Sequence, residues 1–358
     1  SLAHDIARQT AHQGGDPSVT AAESARTVSA LSVADLWLDA ATDLPPAGGP
    51  RSAWSRAQWV EATLATWKRL TGPVASSVSD ALATVLTSGD GALGGLGGLG
   101  GVPDGFAGAG ATDPAAMLRG LGSSVFGLQV GQAAGTLARE VFGSSDTGLP
   151  LLEGPGTALV PGNVAAFAEG LDAGAEEVLA FLAVRESAHA RLYAHVPWLR
   201  SHILGLVEEY ARGITIDLER MEESVRSIDP SDPDALRAAL SGGVFAPEVS
   251  TEQAAALERL ETALALVEGW VEDVTARTVA PHLPHGVPLR EMMRRRRAAG
   301  GPAEHVFSTL VGLHLRPRRL REAATLMASL VSDGGPEARD ALWVHPDLLP
   351  DAEDLDAP

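Results

Sequence analysis

Apolar residues recur every three or four positions over most of the chain, the spacing of helices that bury one face, and strict alternation is scarce. From residue 52 to about 70 the pattern is helical. It sets Trp59 and Trp67, eight apart, on one face as packing anchors. A helical pattern resumes at about Met117, and Gly127, Gly131 and Gly135 follow at i, i+4 and i+8. Each helical glycine costs about 1 kcal/mol, so three in register predict a smooth ridge that another backbone approaches closely. Residues 143–163, rich in Gly and Pro, read as a loop with a short strand around 149–152. A helix is expected over 175–195, and Pro197 suits the first turn of the next, which ends near Gly213. Shorter helices are expected near 216–227 and 233–241. Ser250 and Gln253 spell a capping box opening a helix over about 251–278, with Leu257, Leu260, Leu264, Val267, Val271 and Val274 as its stripe. Further helices are expected near 289–299, 302–312, 317–331 and 336–343, followed by an acidic tail. The polar residues 1–30 are expected to fray.

The predicted fold class is therefore mainly α, with little β-sheet. Three stretches divide the chain: a helical segment over 1–88, which holds four of the tryptophans; a glycine-rich linker or loop over 89–116; and a larger helical domain over 117–358. At 358 residues and 45% hydrophobic, the chain has ample material for a core.

Charge and composition remove several classes of function. The net charge of −19 repels phosphate backbones, which argues against nucleic acid as a partner. There is no cysteine, so disulfides, thiolate metal sites and Cys nucleophiles are excluded. Lys68 is the only lysine, and its neighbours Trp67 and Arg69 fit neither a phosphate-binding loop nor a Schiff-base site. The glycines of 89–110 follow no strand and precede no Lys-Ser/Thr, so they do not form a phosphate cradle. No run of about 18 apolar residues occurs, so no membrane span is expected and the cytoplasm is the default compartment.

One constellation can carry chemistry. The helix at 175–195 contains Arg185-Glu186-Ser187-Ala188-His189. Set beside H-E-x-x-H, Glu186 and His189 match, and Arg185 stands where the first histidine belongs. The motif works because residues i and i+4 share a helix face. Two imidazoles can then grip one metal while the intervening carboxylate acts on a metal-bound water. A carboxylate ligand has to come from another helix, and both Glu268 and Glu209 are placed to supply it. Glu268 is the better choice, because Gly269 beside it removes a side chain and would let its helix lie close against 175–195. Arg185 is a permanent cation and cannot ligate a metal. It is expected instead to form a charge-assisted pair with Glu268 or Glu209 where a metal would otherwise lie.

The stretches RESAHARLYAHVPWLRSHILGLVEEYARGITID, LALVEGWVEDV and GLHLRPRRLREA resemble the actinobacterial zincin-like "putative hydrolase" family, commonly labelled zinc-dependent metalloproteases. The resemblance spans roughly residues 118–350. It implies a zincin-like helical core, with Glu186 as general base, His189 as metal ligand and Glu268 as carboxylate ligand. Related families with intact sites carry H-E-x-x-H, from which Arg185 departs, whereas the resemblance implies that Arg-Glu-x-x-His is usual in this branch. Two readings follow. In one the site is degenerate: no cofactor is held, Arg185 and Glu186 are the residues of interest, and the cleft takes a peptide or protein. In the other, zinc is bound by His189 and Glu268 (alternatively Glu209), and the protein is an active metallopeptidase or hydrolase.

The remaining polar clusters read as structural. Arg294–Arg297, four consecutive helical residues, point in all directions and suit a solvated helix pairing with acids elsewhere. Arg316, Arg318, Arg319 and Arg321 oppose the dipole at their helix start and are expected to pair with Glu208, Glu209 or the tail. His282 and His285 read as solvent-exposed loop residues, and His305 and His314 face opposite ways. No G-x-S-x-G is present to support serine hydrolysis.

Overall fold

The computed structural model describes residues 2–88, 114–219, 249–299 and 319–356, together with the isolated residues Glu223, Glu304 and Ser308. The glycine-rich stretch therefore lies almost wholly outside the described residues. So do most of the helices expected at 216–227, 233–241 and 302–312, along with His305, His314, Arg316 and Arg318.

Besides two short 3-10 helices (Ala341–Trp343 and Pro346–Leu348), the described elements are eleven α-helices and one two-stranded parallel sheet. In chain order they are α1 (Leu2–His12), α2 (Ala21–Leu38), β1 (Arg51–Ala53), α3 (Arg56–Ser88), α4 (Pro114–Ala138), β2 (Thr157–Leu159), α5 (Pro161–Ala168), α6 (Ala175–His195), α7 (Leu199–Arg212), α8 (Thr251–Val279), α9 (Gly286–Ala298), α10 (Leu320–Asp340) and α11 (Ala352–Asp356). The fold is mainly α, as the periodicity indicates.

The N-terminus does not fray, contrary to expectation. α1 buries Ala3, Ala7 and Ala11. It lies on the glycine ridge of α4, where a Cβ on Gly131 would sit 2.5 Å from the Ala3 carbonyl and one on Gly135 2.6 Å from that of Ala7. Small residues on both helices allow this approach, and dispersion contacts across the closed gap hold it. α2 then starts at a complete capping box formed by Thr20 and Glu23.

The helix expected from residue 52 begins instead at Arg56, after β1. Ser55 and Gln58 exchange side chain-to-backbone bonds, and Asp16 accepts from the first two N–H groups of the helix. Trp59 and Trp67 are both fully buried, as their shared face predicts. The second strand lies at 157–159, not around 149–152. Pro150 has no N–H, and the Leu151 N–H turns back to the Leu149 carbonyl, so that stretch cannot enter a ladder. β1 pairs with β2 in the register Arg51↔Thr157 to Ala53↔Leu159, and Gly143 bridges Leu159 from the other side.

α6 is the central helix, buried on every side from Phe181 to His189. α8 starts at the predicted Ser250–Gln253 capping box. Gly269 of α8 does permit a close approach, but to a different helix than expected. A Cβ there would lie 2.8 Å from the Ala323 carbonyl carbon, so the glycine seats α10, not α6. The helices expected at 317–331 and 336–343 are one run in α10, kinked at Gly335 ahead of Pro336.

One apolar cluster extends from Ala7 to Leu355. Two fully buried arginines tie the N-terminal helices to it. Arg191 of α6 bonds Asp35, Asp39 and the Leu44 carbonyl. Arg339 of α10 bonds Asp273, Asp340 and the Ala41 carbonyl, and Asp340 in turn accepts from Thr42 and from the Trp270 indole. Among the described residues, no helix is long and apolar enough to cross a membrane.

Candidate functional site

Residues one turn apart on α6 project together, so Arg185 and His189 both face α8. There they meet Glu268. A guanidinium nitrogen of Arg185 donates to Glu268 Oε1. His189 Nε2 lies 3.3 Å from Oε2, and its Nδ1 lies 2.9 Å from the Arg185 carbonyl oxygen. Both ring nitrogens thus face oxygens. From α9, Arg297 approaches the same carboxylate, with Nη2 3.3 Å from Oε2. Glu268 is buried, and burial works against its ionisation. The Arg297 and Arg185 charges and the His189 contact outweigh that and hold its carboxyl well below the usual range. One turn beyond His189, Tyr193 donates to the Gly148 carbonyl at 2.9 Å. Burial, with the Glu268 charge nearby, raises its phenol above the ordinary value.

Glu186, about 100° around α6 from Arg185, points elsewhere. Its carboxylate accepts from the backbone N–H groups of Ser144 (3.1 Å), Ser145 (3.1 Å) and Ala158 (3.2 Å), and from both serine hydroxyls. Gly143 makes room for this closure, since a Cβ there would lie 2.7 Å from Glu186 Oε2. The five donors fill the positions at which a general base would take up a proton from water.

The loop around Glu186 is pinned from α9 as well. Arg296 bonds both oxygens of Asp146 (3.1 and 3.0 Å) and the Glu140 carbonyl, and its guanidinium stacks 4.2 Å over Phe142. Sequence reasoning placed Arg294–Arg297 on a solvated helix. Arg294 and Arg295 fit that, pairing with Glu272 and Glu291. Arg296 and Arg297 turn inward, and Arg297 is the site residue that reasoning missed. The available signal was that Arg297 continues the four-residue spacing of Leu289 and Met293, both buried on α9.

The other expectations resolve simply. Glu209 is half exposed and pairs with Arg259 at 2.7 Å, away from His189's carboxylate partner. His195 contacts the Pro46 carbonyl, and His202 lies edge-on to Trp198. His282 is exposed and stacks on Trp37 with centroids 4.1 Å apart. His285 is only partly exposed, because Glu177 accepts from its backbone N–H and lies 2.8 Å from its ring. Arg319 pairs with Asp356 in the tail.

A catalytic zinc usually has three protein ligands, at about 2.0–2.2 Å for nitrogen and oxygen. His189 and Glu268 supply two donors. The third corner holds the guanidinium of Arg185, and Arg297 crowds the far oxygen. Among the described residues, no three His, Asp or Glu side chains converge to hold a metal ion. The residues present do not fit a zinc ion.

Comparison with protein-family models matches residues 1–358 to "Zincin-like metallopeptidase". Among solved structures, a "putative hydrolase with a novel fold" from Chloroflexus aurantiacus is 18% identical, with a TM-score of 0.66. The match covers 100% of this chain and 95% of that one, and the likeness is one of fold. Curated proteins give no match.

Proposed function

Since the chain belongs to the zincin-like metallopeptidase family, we propose that it is a member whose metal corner has been taken over by arginine. In this reading the fold is kept as a binding scaffold for a peptide or protein, and hydrolysis through zinc has been lost. The observation that carries it is the single carboxylate of Glu268 shared by Arg185 and His189. Arg185 supplies the positive charge that a metal would otherwise bring to His189 and Glu268, and it cannot be displaced by deprotonation. Glu186, saturated by the 143–145 loop and β2, fastens that loop to α6 and leaves water unactivated.

Elemental analysis of protein purified without chelator tests this. Wild-type protein is expected to carry well below one zinc per chain. The Arg185→His variant completes three convergent ligands and is expected to bind roughly one zinc per chain, lost again with His189→Ala. Stoichiometric zinc in the wild-type protein, removed by His189→Ala or Glu268→Ala, overturns the proposal and restores the active peptidase.

A further inference from the structure

Beside the ion cluster, but sharing none of Arg185, His189, Glu268 or Arg297, lies a cavity of about 290 Å³. It is bounded by α6 (Ala190, Tyr193, Ala194), by the 149–156 loop, by Ser144 and Ser145, and by Arg200 in the first turn of α7. This volume is near the lower end of small-molecule sites, about 300–1,000 Å³.

Its walls are chemically uneven. Leu149, Pro150, Leu151, Pro155, Ala190 and Ala194 make the body apolar. Three of the lining residues carry hydroxyls whose protons are already spent. Ser144 and Ser145 donate to Glu186, and Tyr193 donates to the Gly148 carbonyl. A hydroxyl that has given its proton retains lone pairs, so these three can accept. Arg200, also on the wall, donates to the Leu152 carbonyl (2.9 Å) and to Thr66 Oγ1 (3.4 Å). It forms no ion pair among the described residues. Glu153, an exposed lining residue, only partly offsets its charge, and partial burial and neighbouring Arg69 both disfavour that charge. The wall thus combines hydroxyl acceptors, apolar side chains and a guanidinium whose charge Glu153 only partly offsets.

We propose that this cavity binds the free C-terminal end of a short peptide with an apolar last residue: its carboxylate on Arg200, its side chain against Ala190, Ala194 and Leu149, and its N–H groups toward the Ser144, Ser145 and Tyr193 hydroxyls. The inference stands apart from the fate of the metal corner, because none of that corner's residues lines the cavity. It names the occupant for a binding scaffold and holds equally if zinc is found.

Titration calorimetry of the full chain with the dipeptide Ala-Leu tests it. Ala-Leu is expected to bind saturably. Its C-terminal amide should bind about tenfold more weakly or worse, the loss expected for one charge-assisted pair. Hexanoate, which keeps the carboxylate and apolar chain but has no N–H, should also bind more weakly than Ala-Leu. Ala194→Leu fills the cavity and should abolish binding while the thermal unfolding curve shows a folded protein. Arg200→Gln should bind Ala-Leu and its amide alike. The ligand-side comparison needs no variant, so a folding defect in either one leaves it intact. No saturable binding at millimolar Ala-Leu overturns the proposal. So does equal affinity for acid and amide, or for hexanoate and Ala-Leu, or binding that survives Ala194→Leu in a folded protein.

Discussion

Glu268 concentrates the residue-scale chemistry, because one buried carboxylate answers Arg185, Arg297 and His189 together. Its folded-state pKa is depressed, so its ionisation contributes stability that is fully present above the unfolded value of about 4.3. That contribution falls away as pH drops below about 4.3 toward the folded pKa, while the unfolded chain binds the proton. Urea unfolding followed from pH 6 to pH 3 should therefore show a steeper loss of stability for wild-type protein than for Glu268→Gln. Glu186 makes a second prediction. Replacing it by Ala strands three backbone N–H groups and two hydroxyls, an expected cost of about 3 kcal/mol or more. Denaturant unfolding measures this, and an unchanged midpoint would show that Glu186 does not fasten the loop. The pairing of Arg185 with His189 was legible from their spacing of four. The separation of Glu186 from them was not, because its partners Ser144, Ser145 and Ala158 are brought in by the loop and by β2.

Among the elements, α1 and α4 meet at a contact that leaves no room for a side chain at Gly131. Gly131→Ala drives a methyl to 2.5 Å from the Ala3 carbonyl oxygen, whereas Gly127→Ala meets nothing nearer than 3.9 Å. The first should destabilise by about 1–3 kcal/mol, as overpacking does. The second should be neutral or stabilise by up to about 1 kcal/mol through helix propensity. Thermal unfolding and the rate of proteolysis at the N-terminus distinguish the two. The sequence displayed this ridge, and it also displayed the alanines of α1 at 3, 7 and 11. It did not show that the two belong together, so residues 1–30 read as fraying. Gly269 carries the same lesson in reverse: its need for a close neighbour was legible, but the neighbour is Ala323 of α10.

Across the whole molecule, buried arginines hold distant parts of the chain to one core. Arg339 joins α10 to Asp273 of α8 and to the Ala41 carbonyl after α2. Arg339→Leu leaves Asp273 without that partner in a buried setting, where breaking such a pair costs about 3–5 kcal/mol. Equilibrium unfolding should report that loss as a lower midpoint. A change of less than about 0.5 kcal/mol, the size usual at surface sites, would mean that Arg339 is not a tie. Both Arg339 and Arg191 are fully buried without an exposed face, which composition could not reveal, since 26 arginines look alike until their acids are placed.

The amino-acid sequence by itself determined most of the helices after residue 56, the Ser250–Gln253 cap and the shared face of Arg185 and His189, because periodicity, capping and i, i+4 geometry act over a few residues. Tertiary structure alone decided which helix Gly269 serves, which of four adjacent arginines turns inward to Glu268, and that Glu186 is closed off by a loop some forty residues earlier. Those outcomes depend on charges and backbone donors far apart in the chain, whose pairing is fixed only once burial makes an unpaired group costly.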